Sequence, residues 1–178
     1  MSKTTLKKAI KDLDASQLRE LLMDLYDAKC DTRYYLDFFV DPDIEARMEA
    51  ARLSIGKELK RGSRGFSKAR ISVVKKGIAS ITCLQPGAED CLEIMVYAVE
   101  SLCLTGHIYA FRDGLVKSCC RLLHDTIVYA DRNQMLAGIL PRLEKAVEEI
   151  PSPYYRRSYL KQALTQQLQA SLSGLAKI

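Results

Sequence analysis

The sequence predicts an all-α protein of about eight to nine helices, built as an irregular helical bundle or a short HEAT-like α-solenoid. Three observations predict it. Apolar residues recur at spacings of three and four along nearly the whole 178-residue chain. Capping residues, glycines and prolines punctuate that pattern where helices should start and stop. From the fourth helix on, helix starts fall every 20 to 26 residues, so two helices form a unit of about 45 residues, within the HEAT and armadillo range. No internal repeat is clear, so the solenoid rests on geometry alone.

The first helix carries Leu6, Ile10 and Leu13. Asp14 and Gln17 make a capping-box-like start for the second, whose inward stripe is Leu18, Leu21, Leu22 and Leu25. Asp31 is positioned to cap a third, aromatic helix through Tyr34, Tyr35, Phe38 and Phe39. Asp41-Pro42 then reads as an N-cap carboxylate followed by proline at the first helical position, where no backbone bond is lost. The stripe behind it is Ile44, Met48, Ala51, Ile55 and Leu59, and Gly62 ends the helix.

Ser67 is the expected cap of the next helix, with Ile71, Val74, Ile78 and Ile81 inward. Gly77 and the β-branched run weaken that helix, and a strand is the competing reading. Pro86-Gly87 breaks the chain before a helix lined by Leu92, Met95, Val99 and Leu102, which stops at Gly106. The following helix has two adjacent stripes, Leu115/Cys119/Leu122 and Val116/Cys120/Leu123/Ile127. So wide an apolar face predicts a central element, or one that also holds a homodimer seam. Asp131 is the expected cap for Leu136, Leu140, Leu143, Val147 and Ile150, one kinked helix running past Pro141. Pro151-Ser152-Pro153 separates it from a last helix with Leu160, Leu164, Leu168 and Leu172. The whole reads as a single helical domain, 1–178, in which an N-terminal helical extension (1–40) packs on a helical core (41–178).

Charge is the informative property. Eight of the twenty residues from Lys57 to Lys76 are basic and only Glu58 opposes them, so this segment carries +7 of a chain whose net charge is +5. Concentrated positive charge attracts phosphates and acidic surfaces. The N-terminus lacks the apolar run of a signal peptide, and no apolar run approaches the ~20 residues that span a bilayer. The six cysteines include no C-x-x-C pair. They read as small buried hydrophobes in a reducing compartment, and the chain as cytoplasmic.

Four pieces of sequence carry a resemblance: T-L-K-K-A-I-K-D-L, Q-L-R-E-L-L-M-D-L-Y, Y-Y-L-D-F-F-V-D-P and R-G-F-S-K-A-R-I-S-V-V-K-K-G-I, mainly within residues 5–78. In these the chain resembles an uncharacterised bacterial family of small helical proteins, a domain of unknown function. The resemblance implies an all-α fold and brings no activity or catalytic residues.

The loop at 62–67 is the leading candidate site. Gly62 and Gly65 permit backbone amides to converge on an anion, and Ser67 and Lys68 would stand at the positive end of the next helix. Arg61 and Arg64 would add charge-assisted contacts. Arg70 borders the apolar stripe, where pairing with an acid or snorkelling is its bland reading. The bland reading of the whole loop is a solvated turn, with Lys75 and Lys76 on an ordinary exposed face. The loop is not a Walker A motif. A second basic-aromatic patch holds Tyr155, Arg156 and Arg157, beside Tyr154, Tyr159 and Lys161; it suits stacking on bases, or simply a helix start.

Cys103/His107 and Cys120/His124 each share a helix face. In a helical hairpin the pairs would sit on the order of 10–20 Å apart along the axis, so no joint metal site is expected. No E-x-x-H, H-E-x-x-H, G-x-S-x-G or dinucleotide-binding pattern occurs. The sequence therefore points to a non-enzymatic helical interaction module, without cofactor, whose basic loop (61–70) binds an acidic protein segment or a phosphate group. Sequence-independent nucleic-acid binding is the alternative, and an enzyme with an unseen pocket comes third.

Overall fold

The protein is described by a computed structural model. It covers the backbone of residues 2–59, 69–104, 113–150 and 155–175, with all their side chains except those of residues 31, 113 and 155–158. Among these residues the chain forms nine helices and no strand: α1 (Lys3–Lys11), α2 (Ala15–Ala28), α3 (Cys30–Val40), α4 (Ile44–Leu59), α5 (Ile71–Thr82), α6 (Ala88–Leu104), α7 (Asp113–Arg132), α8 (Leu136–Glu148) and α9 (Tyr155–Leu175). The β-branched run of α5 is thus helical. The chain divides into two compact units, Met1–Ile44 and Glu45–Ile178.

In the first unit, α2 opens on the expected capping box. Asp14 accepts from the amides of Ser16 and Gln17, and Gln17 answers with an acceptor for the Asp14 amide. A one-residue break at Lys29, in extended geometry, turns the chain into α3. The two helices are tied by the Tyr26 hydroxyl donating to Asp37 (2.9 Å) and by Arg33 stacked over the Tyr26 ring. The predicted burial of Leu21, Leu22 and Leu25 does not occur. All three are exposed, and neither α1 nor α2 has a buried residue.

The second unit holds the core. α6 is buried nearly all round, through nine residues that include Leu92, Ile94, Val96 and Val99. It packs on α5, α7 and α8. α7 packs chiefly on α9 and α6, so helices two apart in sequence lie side by side. That is the packing order of stacked helical pairs. One layer contains α5, α7 and α9. The other contains α6 and α8, continued to α4 by an ion network. Arg142 on α8 donates to Glu93 (2.7 Å) and to Glu100 (2.9 Å) on α6, and Arg52 on α4 lies 3.6 Å from Glu93. The Tyr97 hydroxyl also donates to the Arg52 carbonyl. The wide face of α7 is core: Val116, Cys119, Leu122, Leu123 and Ile127 are buried. α8 runs through Pro141 as one helix.

Three expected caps are displaced. Asp41 closes α3, donating its amide to the Asp37 carbonyl, and α4 begins at Ile44 rather than at Pro42. Asp31 falls inside α3, whose cap position is Lys29. Asp131 lies inside α7. That helix ends at Arg132 and is closed by Gln134 at φ 60°, with the Met135 amide reaching the Ala130 carbonyl and the Gln134 amide the Asp131 carbonyl. These are the two bonds of a Schellman closure, achieved without the usual glycine.

Candidate anion-binding groove

Of the loop residues singled out by charge, Arg61, Arg64, Ser67 and Lys68 lie outside the described residues, as does Gly62. The helix after the loop begins at Ile71 with Arg70 at the cap position and no side-chain cap. Arg70 is committed elsewhere. Its amide, Nε and Nη2 all donate to the Glu58 carboxylate, at 2.9, 3.0 and 2.8 Å. The Glu58 side chain is only 8% exposed. The pair joins the end of α4 to the start of α5, while the Arg70 side chain stays exposed. Ala69 beside it is buried in left-handed geometry, φ 41°. Lys75 and Lys76 are exposed.

Tyr155, Arg156 and Arg157 form the first turn of α9, and their side chains are outside the described set. Two neighbours are described. Lys161 donates to the Glu148 carbonyl at the end of α8. Tyr159 is half exposed and lines a groove between α7 and α9.

That groove has a volume of about 580 Å³. From α7 it takes Val116, Lys117, Cys120, Arg121 and His124; from α9, Tyr159, Ala163, Gln166, Gln167 and Ala170. Among the described residues the lining contains no carboxylate. Lys117, Arg121 and His124 follow the i, i+4, i+7 spacing that places side chains on one helix face, and all three are exposed. Val116 is buried and Cys120 half-buried, so the floor is apolar and one wall is cationic.

At one end His124 Nδ1 lies 3.0 Å from the Ser171 hydroxyl, which also accepts from Gln167 Nε2 at 3.1 Å. Ser171 and His124 Nδ1 share this hydrogen bond, whose donor is set by the tautomer of the ring. Ser171 is 5% exposed, too enclosed to meet a substrate. Burial pushes the Cys120 thiol up, so a neutral thiol sits in the floor rather than a thiolate nucleophile.

Among the described residues no three His, Cys, Asp or Glu side chains converge as a metal site requires. His107 is outside that set. No described helix is long and apolar enough to cross a membrane.

Sequence reasoning found Tyr159 within the basic-aromatic patch but missed the basic face of α7. The signal was present as the 117/121/124 spacing alongside the apolar stripe. Compared with known proteins, residues 1–165 match the model of a family of unknown function (DUF6155). No curated protein and no solved structure matches.

Proposed function

The chain belongs to DUF6155, and because that family carries no activity to inherit, we propose from the geometry that it is a non-enzymatic helical interaction module whose α7/α9 groove binds an acidic segment of a partner protein. The observation that carries the reading is the groove lining: Lys117, Arg121 and His124 over an apolar floor, with no acid among the described lining residues. An amphipathic segment fits it, apolar side down on Val116, Cys120 and Ala163, carboxylates against α7. The α7 lining from 116 to 124 runs about 12 Å at 1.5 Å per residue, room for two turns of helix. The basic segment around Arg61, Arg64, Ser67 and Lys68 is a second anion contact in this reading. A cytoplasmic setting belongs to the proposal as well, supported by six cysteines that are all free.

The test is fluorescence anisotropy with a labelled amphipathic peptide of glutamate and leucine. Lys117→Glu/Arg121→Glu should weaken binding at least tenfold, and Arg61→Ala/Arg64→Ala/Lys68→Ala by less. Equal affinity in wild type and the α7 variant would remove the groove from the proposal.

Tyr159 favours a second reading. A half-exposed aromatic ring beside two cationic side chains suits base stacking with phosphate contacts. Single-stranded oligonucleotide in the same assay distinguishes it, since affinity should then fall steeply with salt and with Tyr159→Ala.

A further inference from the structure

The basic wall of the α7/α9 groove is made of three side chains of two kinds. Lys117 and Arg121 are cationic throughout the neutral range. Histidine is the side chain whose charge ordinarily changes between pH 5 and 8. His124 is exposed, and it lines the groove beside the other two.

Ser171 can hold the ring in either protonation state. A hydroxyl offers two acceptor lone pairs and one proton that turns to suit. Beside a neutral ring, the 3.0 Å bond to Nδ1 forms with one partner or the other donating. Beside a charged ring both nitrogens donate, and Ser171 accepts from Nδ1 with one lone pair and from Gln167 Nε2 with the other. Protonation therefore adds a positive group to the wall without moving the ring.

Among the described residues nothing around the ring supplies a counter-ion. On α7, Arg121 stands one turn back, burial keeps the Cys120 thiol neutral, and Asp125 does not line the groove. On α9 the neighbours are Gln167 and Ser171, and that helix contains no Asp or Glu. Its bases Arg156, Arg157 and Lys161 lie in its first two turns, the last of them about 15 Å along the axis from Ser171. α5, α6 and α8 also pack on α7. None of their described side chains lines the groove, Lys75 and Lys76 on α5 and Glu144 and Glu148 on α8 included. The counter-charge is left to the ligand.

We infer that His124 makes the groove a pH-dependent binder, in which an acidic segment and a proton are taken up together. This rests on the groove reading proposed above. Linkage is reciprocal, so affinity rises as pH falls through the imidazole range.

The test uses the full chain and the glutamate–leucine peptide, whose carboxylates stay ionised from pH 6 to pH 8. In fluorescence anisotropy wild type should bind about two- to fivefold tighter at pH 6 than at pH 8, the gain of one exposed ion pair. His124→Gln keeps a polar partner for Ser171 but does not titrate, so its affinity should be the same at both values. His107→Gln, which alters the chain's other histidine, should respond like wild type. Calorimetry at pH 6.5 in two buffers of different ionisation enthalpy reads the proton directly. Wild type and His107→Gln should take it up on binding, a result that stands even where His124→Gln fails to fold. Equal affinity of wild type at both pH values, a pH response that survives in His124→Gln, or binding without proton uptake overturns the inference and leaves the groove reading in place. No binding at either pH, or binding indifferent to Lys117→Glu/Arg121→Glu, removes the groove reading and this inference with it.

Discussion

Gly77→Ala should destabilise the protein even though alanine is the better helix former. An ideal Cβ on Gly77 would lie 2.7 Å from Ile55 Cγ1 and 3.0 Å from its Cδ1. Carbon pairs are comfortable at about 3.5–4.0 Å. Ile55 is 0% exposed and has no open side to retreat into. Overpacking of this kind costs ~1–3 kcal/mol, whereas replacing an interior helical glycine by alanine returns ~1 kcal/mol. The short contact argues for the upper part of the cost, leaving a net loss of about 1–2 kcal/mol. For a chain of this size each kcal/mol lowers Tm by roughly 2–4 °C. Gly138→Ala is the control. It is also helical, but its Cβ would meet nothing within 4 Å, so it should stabilise by ~0.5–1 kcal/mol. Thermal and urea unfolding of both variants decide the matter. If Gly77→Ala matches Gly138→Ala, α4 and α5 do not cross as closely as described.

Three further predictions concern other parts of the fold. Arg142→Met should lower stability by about 1–2 kcal/mol after allowing for solvent screening, since Glu93 and Glu100 then face each other without the guanidinium between them; a Glu93→Gln/Glu100→Gln background should absorb most of that loss in a urea titration. Burial pushes the Cys103 and Cys119 thiols up to about 12, from an ordinary value of 9.0. Unfolding frees them to ionise, so stability should be flat below pH 9 and fall between pH 9 and pH 12, by up to ~1.4 kcal/mol per pH unit for each thiol; a urea midpoint that does not move across that window contradicts their burial. In the native state a thiol reagent should modify exposed Cys30 and Cys83 first and half-buried Cys120 more slowly, reaching Cys91, Cys103 and Cys119 only on unfolding.

How much of this was legible in the sequence depended on whether a residue's role was local. The Asp14–Gln17 box is a contact between neighbours, and it formed as read. Asp31, Asp41 and Asp131 have the same chemistry, yet a carboxylate caps only where the backbone has just left extended geometry. At Asp131 the helix had not ended; a glutamine took the left-handed position that glycine usually marks. Gly77 is the instructive case. By propensity it weakened the helix, but its absent side chain is what admits Ile55. That reason sits on another helix, twenty-two residues away. The α7 cations were missed because a +7 segment drew the charge argument, while a groove forms where two helices meet, and α9 lies beyond the reach of a local spacing.

The ion network between Arg52, Glu93, Arg142 and Glu100 ties together α4, α6 and α8, with side chains one-quarter to two-fifths exposed. α7 and α9 pack on each other, and Val116 and Leu123 of the one and Leu160 and Leu164 of the other are buried. Ionic strength therefore acts unevenly on this molecule. Added salt screens the ties among α4, α6 and α8 while leaving, or slightly tightening, the apolar seam beneath the groove. A salt series that releases an anionic ligand from Lys117 and Arg121 also slackens the face behind it. Loss of binding and loss of rigidity then arrive together in one titration, and only a probe seated on α8 would tell them apart.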